Sequence, residues 1–219
     1  MINAVIFDLD GTLSYTLDSI AVSGNLALES IGMPPYEKDR YKYFCGDGVD
    51  ELVRRALYNN GDTEYEHFNE LKSAYMKFFE EYAEYNVKPY DGMVETVKAI
   101  KKQGIKVCVL SNKPHEQTIQ VVEKLYGKGC FDYIQGNTPL IPRKPASDGA
   151  FIISENIGIA PENILYVGDT ATDMQTGNGA NMHTVGVLWG YRTRQELMEN
   201  HAEHIIERPE QLLDLIEEI

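Results

Sequence analysis

Asn3-Ala4-Val5-Ile6-Phe7-Asp8-Leu9-Asp10-Gly11-Thr12 decides the fold. The apolar run at 3–9 is too short for a helix and rich in strand formers, and it ends in acid and glycine, as a strand entering a turn does. Similar short runs recur at 105–110 (IKVCVL), 163–167 (NILYV) and 183–188 (HTVGVL), with helical patterns between them. Strands alternating with helices imply a parallel sheet covered on both faces. The expected fold class is α/β: a doubly wound, Rossmann-like parallel sheet whose ligands bind beyond the carboxyl ends of its strands.

Several helix boundaries can be read in the same way. Asp91 precedes the amphipathic Met93–Gln103, Gly104 follows it, and Pro114 and Pro161 stand at helix starts. From about Leu17 to Val87 no strand pattern appears. Phe68, Leu71, Tyr75, Phe78 and Tyr82 follow helical spacing there, which reads as the core of a small helical bundle. The expected organisation is a core built from 1–16 and 88–219, interrupted by an all-α cap at 17–87. Pro89-Tyr90-Asp91-Gly92 supplies turn chemistry where the chain re-enters the core.

Of 219 residues, 34 are acidic and 20 basic, a formal charge of -14. That surplus repels a phosphate backbone and argues against nucleic acid as a partner. An anionic small molecule would need a locally positive site, for which a metal ion is the natural candidate. Cys45, Cys108 and Cys130 lack metal-ligand spacing, and Cys108 lies in an apolar run, so reduced thiols in a cytoplasmic protein are expected. No leader-like pattern and no stretch of about 18 apolar residues is present, so no membrane partner is expected.

The chemistry concentrates at strand ends. Two residues apart on an extended segment, Asp8 and Asp10 share one side, so one acid can attack an electrophile while the other manages protons. Gly11 permits a sharp turn, and Thr12 adds a hydroxyl. Ser111-Asn112-Lys113 follows the second clear strand with a hydroxyl and N–H groups suited to phosphoryl oxygens. Lys144, within Arg143-Lys144-Pro145, can bridge a nucleophile and a phosphate. Val167-Gly168-Asp169-Thr170-Ala171-Thr172-Asp173 offers oxygen ligands for a hard cation such as magnesium. Asp169 would be a direct ligand there, and Asp173 either holds Asp169, Lys144 or a metal-bound water in place or caps a helix. Asp8, Asp169 and Asp173 carry three negative charges, which one magnesium and Lys144 offset.

These four segments resemble, in order, the four motifs of the haloacid dehalogenase superfamily. The resemblance implies Asp8 as nucleophile, Asp10 as acid/base, Ser111 as phosphate holder, Lys144 as charge neutraliser, and magnesium on Asp8, the Asp10 carbonyl and Asp169. The helical insertion looks like the cap of the phosphoglycolate phosphatase and beta-phosphoglucomutase branch, and Tyr43–Gly48 with Leu52 to Leu57 is most similar to the former. Ser147 departs from the pattern, since a proline often stands there.

The expected activity is therefore magnesium-dependent hydrolysis of a small phosphorylated metabolite through an aspartyl-phosphate, with 2-phosphoglycolate leading. Thr12, Ser111 and Asn112 are the candidate phosphate-binding residues. Gly46 and Gly48 would bring backbone N–H groups, with Arg54 or Arg55 assisting, to a second anionic group. A sugar-phosphate phosphatase or a mutase shares every catalytic residue, and a receiver-like phosphorylation switch gathers similar groups without turnover. His115 reads as a first-turn helix residue. Trp189-Gly190-Tyr191, after a strand end, is either a border of the site or a surface turn.

Overall fold

The structure, a computed structural model, describes residues Met1–Ile219. In chain order the strands are β1 (Ala4–Phe7), β2 (Ser14–Tyr15), β3 (Lys88–Pro89), β4 (Lys106–Pro114), β5 (Tyr133–Asn137), β6 (Ile164–Gly168), β7 (His183–Val187) and β8 (His204–Ile206). The helices are α1 (Leu17–Ser30), α2 (Tyr41–Phe44), α3 (Val49–Asn59), α4 (Phe68–Tyr82), α5 (Met93–Lys102), α6 (His115–Tyr126), α7 (Asp148–Ile157), α8 (Ala171–Gly179), α9 (Arg194–Glu199) and α10 (Gln211–Glu218). The chain forms two compact units, Met1–Tyr15 with Lys88–Ile219, and Thr16–Val87.

In the first unit six strands pair in the order β5-β4-β1-β6-β7-β8, every pairing parallel. The winding starts at β1, runs outward through β4 and β5, and then crosses to β6 on the other side of β1. That reversal leaves a crevice beyond the carboxyl ends of β1, β4 and β6. Side chains alternate between the faces. Val5, Phe7, Val107 and Val167 pack with Met93 and Val97 of α5 and Leu212 of α10, whereas Ala4, Ile6, Cys108 and Tyr166 pack with Ala150 and Ile153 of α7. Each face is thus sealed by helices, as the doubly wound expectation requires.

The four strands read from sequence occupy the interior of the sheet, and the two that escaped, β5 and β8, form its edges. β4 also runs further than expected, so Ser111-Asn112-Lys113 lies on the strand rather than in a loop behind it. Two helix starts differ. Gly92, with φ +81, precedes α5, so Asp91 is not its cap, and Pro161 opens only a three-residue 3-10 turn. β2 and β3 pair antiparallel, Ser14 with Pro89 and Tyr15 with Lys88, where the chain leaves this unit and returns to it.

Considered by itself, the second unit is helical. On α4 the buried positions are Leu71, Tyr75 and Phe79, so the stripe turns by one residue from the spacing expected, and Phe78 and Tyr82 lie half-buried beside it. Tyr41 packs where Gly24 has no Cβ, and its hydroxyl donates to Asn25 Oδ1 at 2.8 Å. Tyr41, Phe44, Tyr75 and Phe79 therefore serve in the core of this unit. All three cysteines are free, and burial pushes the Cys108 thiol up to about 12. No helix is long and apolar enough to cross a membrane.

Candidate active site

Asp8 directly follows β1, where its N–H donates to Val167 O at 2.9 Å and fixes the acid beside β6. Lys144 reaches it from the segment after β5. The Lys144 ammonium donates to Asp8 Oδ1 at 2.7 Å, Asp173 Oδ1 at 2.6 Å and Leu110 O at 3.2 Å, which engages all three of its donors. Both the lysine and the acids are almost wholly buried. Burial works against the lysine's charge, but Asp173 and Asp8 outweigh it and hold the ammonium protonated well above its ordinary range.

Asn112 anchors this lysine. Its side-chain amide donates to Lys144 O at 3.0 Å and accepts from Lys144 N at 2.9 Å. Both ends of the amide are thus engaged with Lys144, so the expectation that Asn112 helps to bind phosphate rests, as the sequence reading had it, on the N–H groups of this segment. Ser111 differs, because its hydroxyl accepts from Lys113 N at 3.2 Å and keeps its own proton to donate. Ser147, the departure from the family pattern, ties the same segment to α8 by donating to Thr176 O at 2.9 Å.

Asp173 holds both roles considered for it. One oxygen accepts from Lys144, and the other accepts from the Thr170 N–H at 3.1 Å and hydroxyl at 2.7 Å, within the capping box that starts α8. A helix start thereby fixes the carboxylate that orients the lysine.

Asp169 accepts from Thr12 Oγ1 at 3.1 Å and from Tyr191 N at 2.7 Å. Thr12 was expected to bind phosphate, but its hydroxyl proton is donated to this acid, so its side chain positions Asp169 instead. The Trp189-Gly190-Tyr191 segment belongs to the site border: a Cβ on Gly190 would collide with Asp169, and Trp189 Nε1 donates to Thr12 O at 2.9 Å. Gly11, at φ +96, likewise leaves the room that the Asp169 carboxylate fills. Burial, and then Asp173, raise the Asp169 carboxyl to about 7, against the opposing pull of the Tyr191 N–H, Arg192 and Thr12. Burial also raises Asp8 well above the usual carboxylate range; Lys144 opposes this, while Asp173, Asp169 and Asp10 add to it.

One contact has no counterpart in the sequence reading. Lys113 Nζ lies 2.9 Å from Asp10 Oδ1, with the lysine side chain 1% exposed. Its only sequence signal was adjacency to Ser111-Asn112. His115 Nδ1 accepts from Gly136 N at 3.1 Å and is committed to the fold. Gly46 and Gly48 belong to the helical unit, both with positive φ, and Gly48 precedes α3. Arg55 pairs with Asp47 and donates to Tyr43 O and Phe44 O, while Arg54 pairs with Glu51 over the Phe68 ring. Both arginines thus have partners within their own unit.

Oxygen ligand atoms of Asp8, Asp169 and Asp173 all lie within 4.8 Å of one another. With one ammonium among three buried acids, ionisation of all three leaves two negative charges uncompensated. Hard oxygen donors with that surplus suit a divalent cation such as magnesium.

A buried acid directly after β1, a lysine hydrogen-bonded to it and an acid pair after β6 thus meet at the carboxyl ends of one parallel sheet. The chain belongs to the haloacid dehalogenase-like hydrolase family, whose model matches residues 5–187. Among its relatives, a phosphoglycolate phosphatase of Aquifex aeolicus is 30% identical over 97% of this chain and 96% of its own. One from Thiobacillus denitrificans is 29% identical over 94% and 91%. The solved structure of an inferred phosphoglycolate phosphatase from Lactobacillus delbrueckii subsp. bulgaricus superposes with a TM-score of 0.92 at 28% identity, covering 98% of each chain.

Proposed function

We propose that the protein is a magnesium-dependent phosphomonoester hydrolase that works through a phosphorylated Asp8, with 2-phosphoglycolate as its substrate. The observation that carries this is Lys144 held between Asp8 and Asp173, which presents the free oxygen of Asp8 as a nucleophile in a buried, cation-seeking pocket. The relatives named above support the choice of substrate.

Asp8 attacks phosphorus and forms an acyl-phosphate bond as the ester P–O bond breaks. Asp10 gives its proton to the departing oxygen. It then takes one from a water, whose oxygen attacks phosphorus, so that the bond to Asp8 breaks and inorganic phosphate leaves. Lys144 and the hydroxyl and main-chain N–H groups at Ser111 and Asn112 face the charge that develops on the phosphoryl oxygens. Asp8, the Asp10 carbonyl and Asp169, itself positioned by Thr12 and Tyr191, would hold magnesium, which when bound supplies positive charge to the phosphoryl group and screens it from Asp8. In this reading Thr16–Val87 is the cap, and Gly46 and Gly48 lend it backbone N–H groups for an anion.

The test is phosphate release from a panel of phosphomonoesters with magnesium, together with acid-quench trapping of labelled phosphate on the protein. Asp8→Asn keeps shape but not nucleophilicity, so turnover and trapped label should both vanish while circular dichroism is unchanged. Near wild-type hydrolysis by this variant rejects the covalent route, and a preference for neutral sugar phosphates rejects phosphoglycolate.

A further inference from the structure

We propose that Lys113 is a specificity residue: its ammonium binds an anionic substituent carried on the carbon next to the departing oxygen, selecting phosphate esters of hydroxy acids over those of neutral alcohols. The assignment rests on the hydrolase reading above and deepens it.

The argument starts from position. A group that protonates the departing oxygen must approach it to hydrogen-bond distance, about 2.6–3.2 Å. Lys113 Nζ is already 2.9 Å from one oxygen of the Asp10 carboxylate. The departing oxygen therefore comes within about 6 Å of that ammonium through the same Asp10 oxygen, or about 8 Å through the other, and a carboxylate one carbon further along extends toward it. Asp10 is 16% exposed at its side chain, so the acid opens to the crevice, with the buried Lys113 against it.

Charge supports the same assignment. An anionic departing group entering a chain of net charge -14, beside Asp8, Asp169 and Asp173, meets repulsion unless a cation stands where its second charge arrives. Lys144 cannot serve, because its three donors already hold Asp8, Asp173 and Leu110 O. Lys113 approaches from β4, on the side of Asp10, and brings a second ammonium to this end of the crevice. Burying a lysine to this degree is costly for a mere brace, since a neutral donor at 113 could hold Asp10 without desolvating a charge.

The discriminating probes are 2-phosphoglycolate and 2-hydroxyethyl phosphate, matched in size and differing by one carboxylate. Lys113→Gln keeps a donor for Asp10 and removes the charge; Lys113→Met removes both and serves as the second variant should glutamine disturb folding. Expected is a fall of about 10- to 100-fold in the ratio of the two kcat/KM values, carried mainly by KM for phosphoglycolate. Damage through Asp10 lowers both substrates together and leaves the ratio alone, so an unchanged ratio overturns the proposal. Binding of the same two esters to Asp8→Asn, with and without Lys113→Gln, is measured by calorimetry in parallel. If the wild type hydrolyses neither ester, the hydrolase reading has failed, and binding still decides Lys113. A phosphoglycolate preference that the substitution abolishes supports the proposal, and equal affinity for both esters, or a preference that survives, overturns it.

Discussion

Asp169→Asn should stabilise the metal-free protein at alkaline pH. In the folded chain the Asp169 carboxyl is raised from 3.8 to about 7, chiefly by burial. The folded state therefore binds the proton more tightly than the unfolded chain, and stability falls as pH rises from about 4 through 7. A shift of roughly three units at about 1.4 kcal/mol each puts the full penalty near 4 kcal/mol above pH 7. Asparagine removes that charge but offers one acceptor oxygen where Thr12 and Tyr191 use two, which returns about 1 kcal/mol. A net gain of about 3 kcal/mol is expected at pH 8 in chelator, shrinking toward zero or below at pH 4. Urea unfolding followed by fluorescence suits the measurement, because the one tryptophan, Trp189, donates to Thr12 O beside the substituted residue. Magnesium should raise wild-type stability and leave the variant nearly unmoved. If the variant is less stable than wild type at pH 8 without metal, or shows the same dependence on pH, the buried charge is not the strain described.

Three further outcomes follow from the same site. Asp10→Asn should slow hydrolysis of alkyl phosphates far more than of an activated aryl phosphate, because only the former needs a proton on departure; equal losses would refute the acid role. Gly11→Ala forces a Cβ against Asp169 at a left-handed φ, costing about 1–3 kcal/mol of stability and raising the magnesium concentration for half-maximal activity; an unchanged metal titration would show the contact to be slack. Calcium added to the magnesium enzyme should inhibit, since its larger and looser shell spoils in-line geometry, and strong turnover with calcium alone would count against that geometry.

What could be read in the sequence follows from where each element sits. β1, β4, β6 and β7 are buried on both faces, so they appear as continuous apolar runs. β5 (YIQGN) and β8 (HII) are edge strands with half-exposed, polar positions, and a five- or three-residue pattern of that kind resembles a loop. Asp8, Asp10, Asp169 and Asp173 were visible because each pair lies within a few residues of the end of a legible strand. The Lys113 contact with Asp10 spans 103 positions and could not be. Nor could the support of Asp169 by Tyr191, which uses a main-chain N–H that every residue but proline carries. For Thr12 and Asn112, sequence could not show which partners their side-chain hydrogen bonds would find.

The short ribbon of β2 and β3 bears on how this chain can change. Ser14–Tyr15 and Lys88–Pro89 are hydrogen-bonded neighbours, so the two ends of the insertion leave and re-enter one strand spacing apart, about 5 Å. A tight hairpin turn could close the same gap, as could a helical unit of another length or sequence, without altering the register of a single strand in the six-stranded sheet. The ribbon is thus a socket: exchange of the whole insertion would be a single graft at two adjacent points, one that leaves the acids at the strand ends where they are.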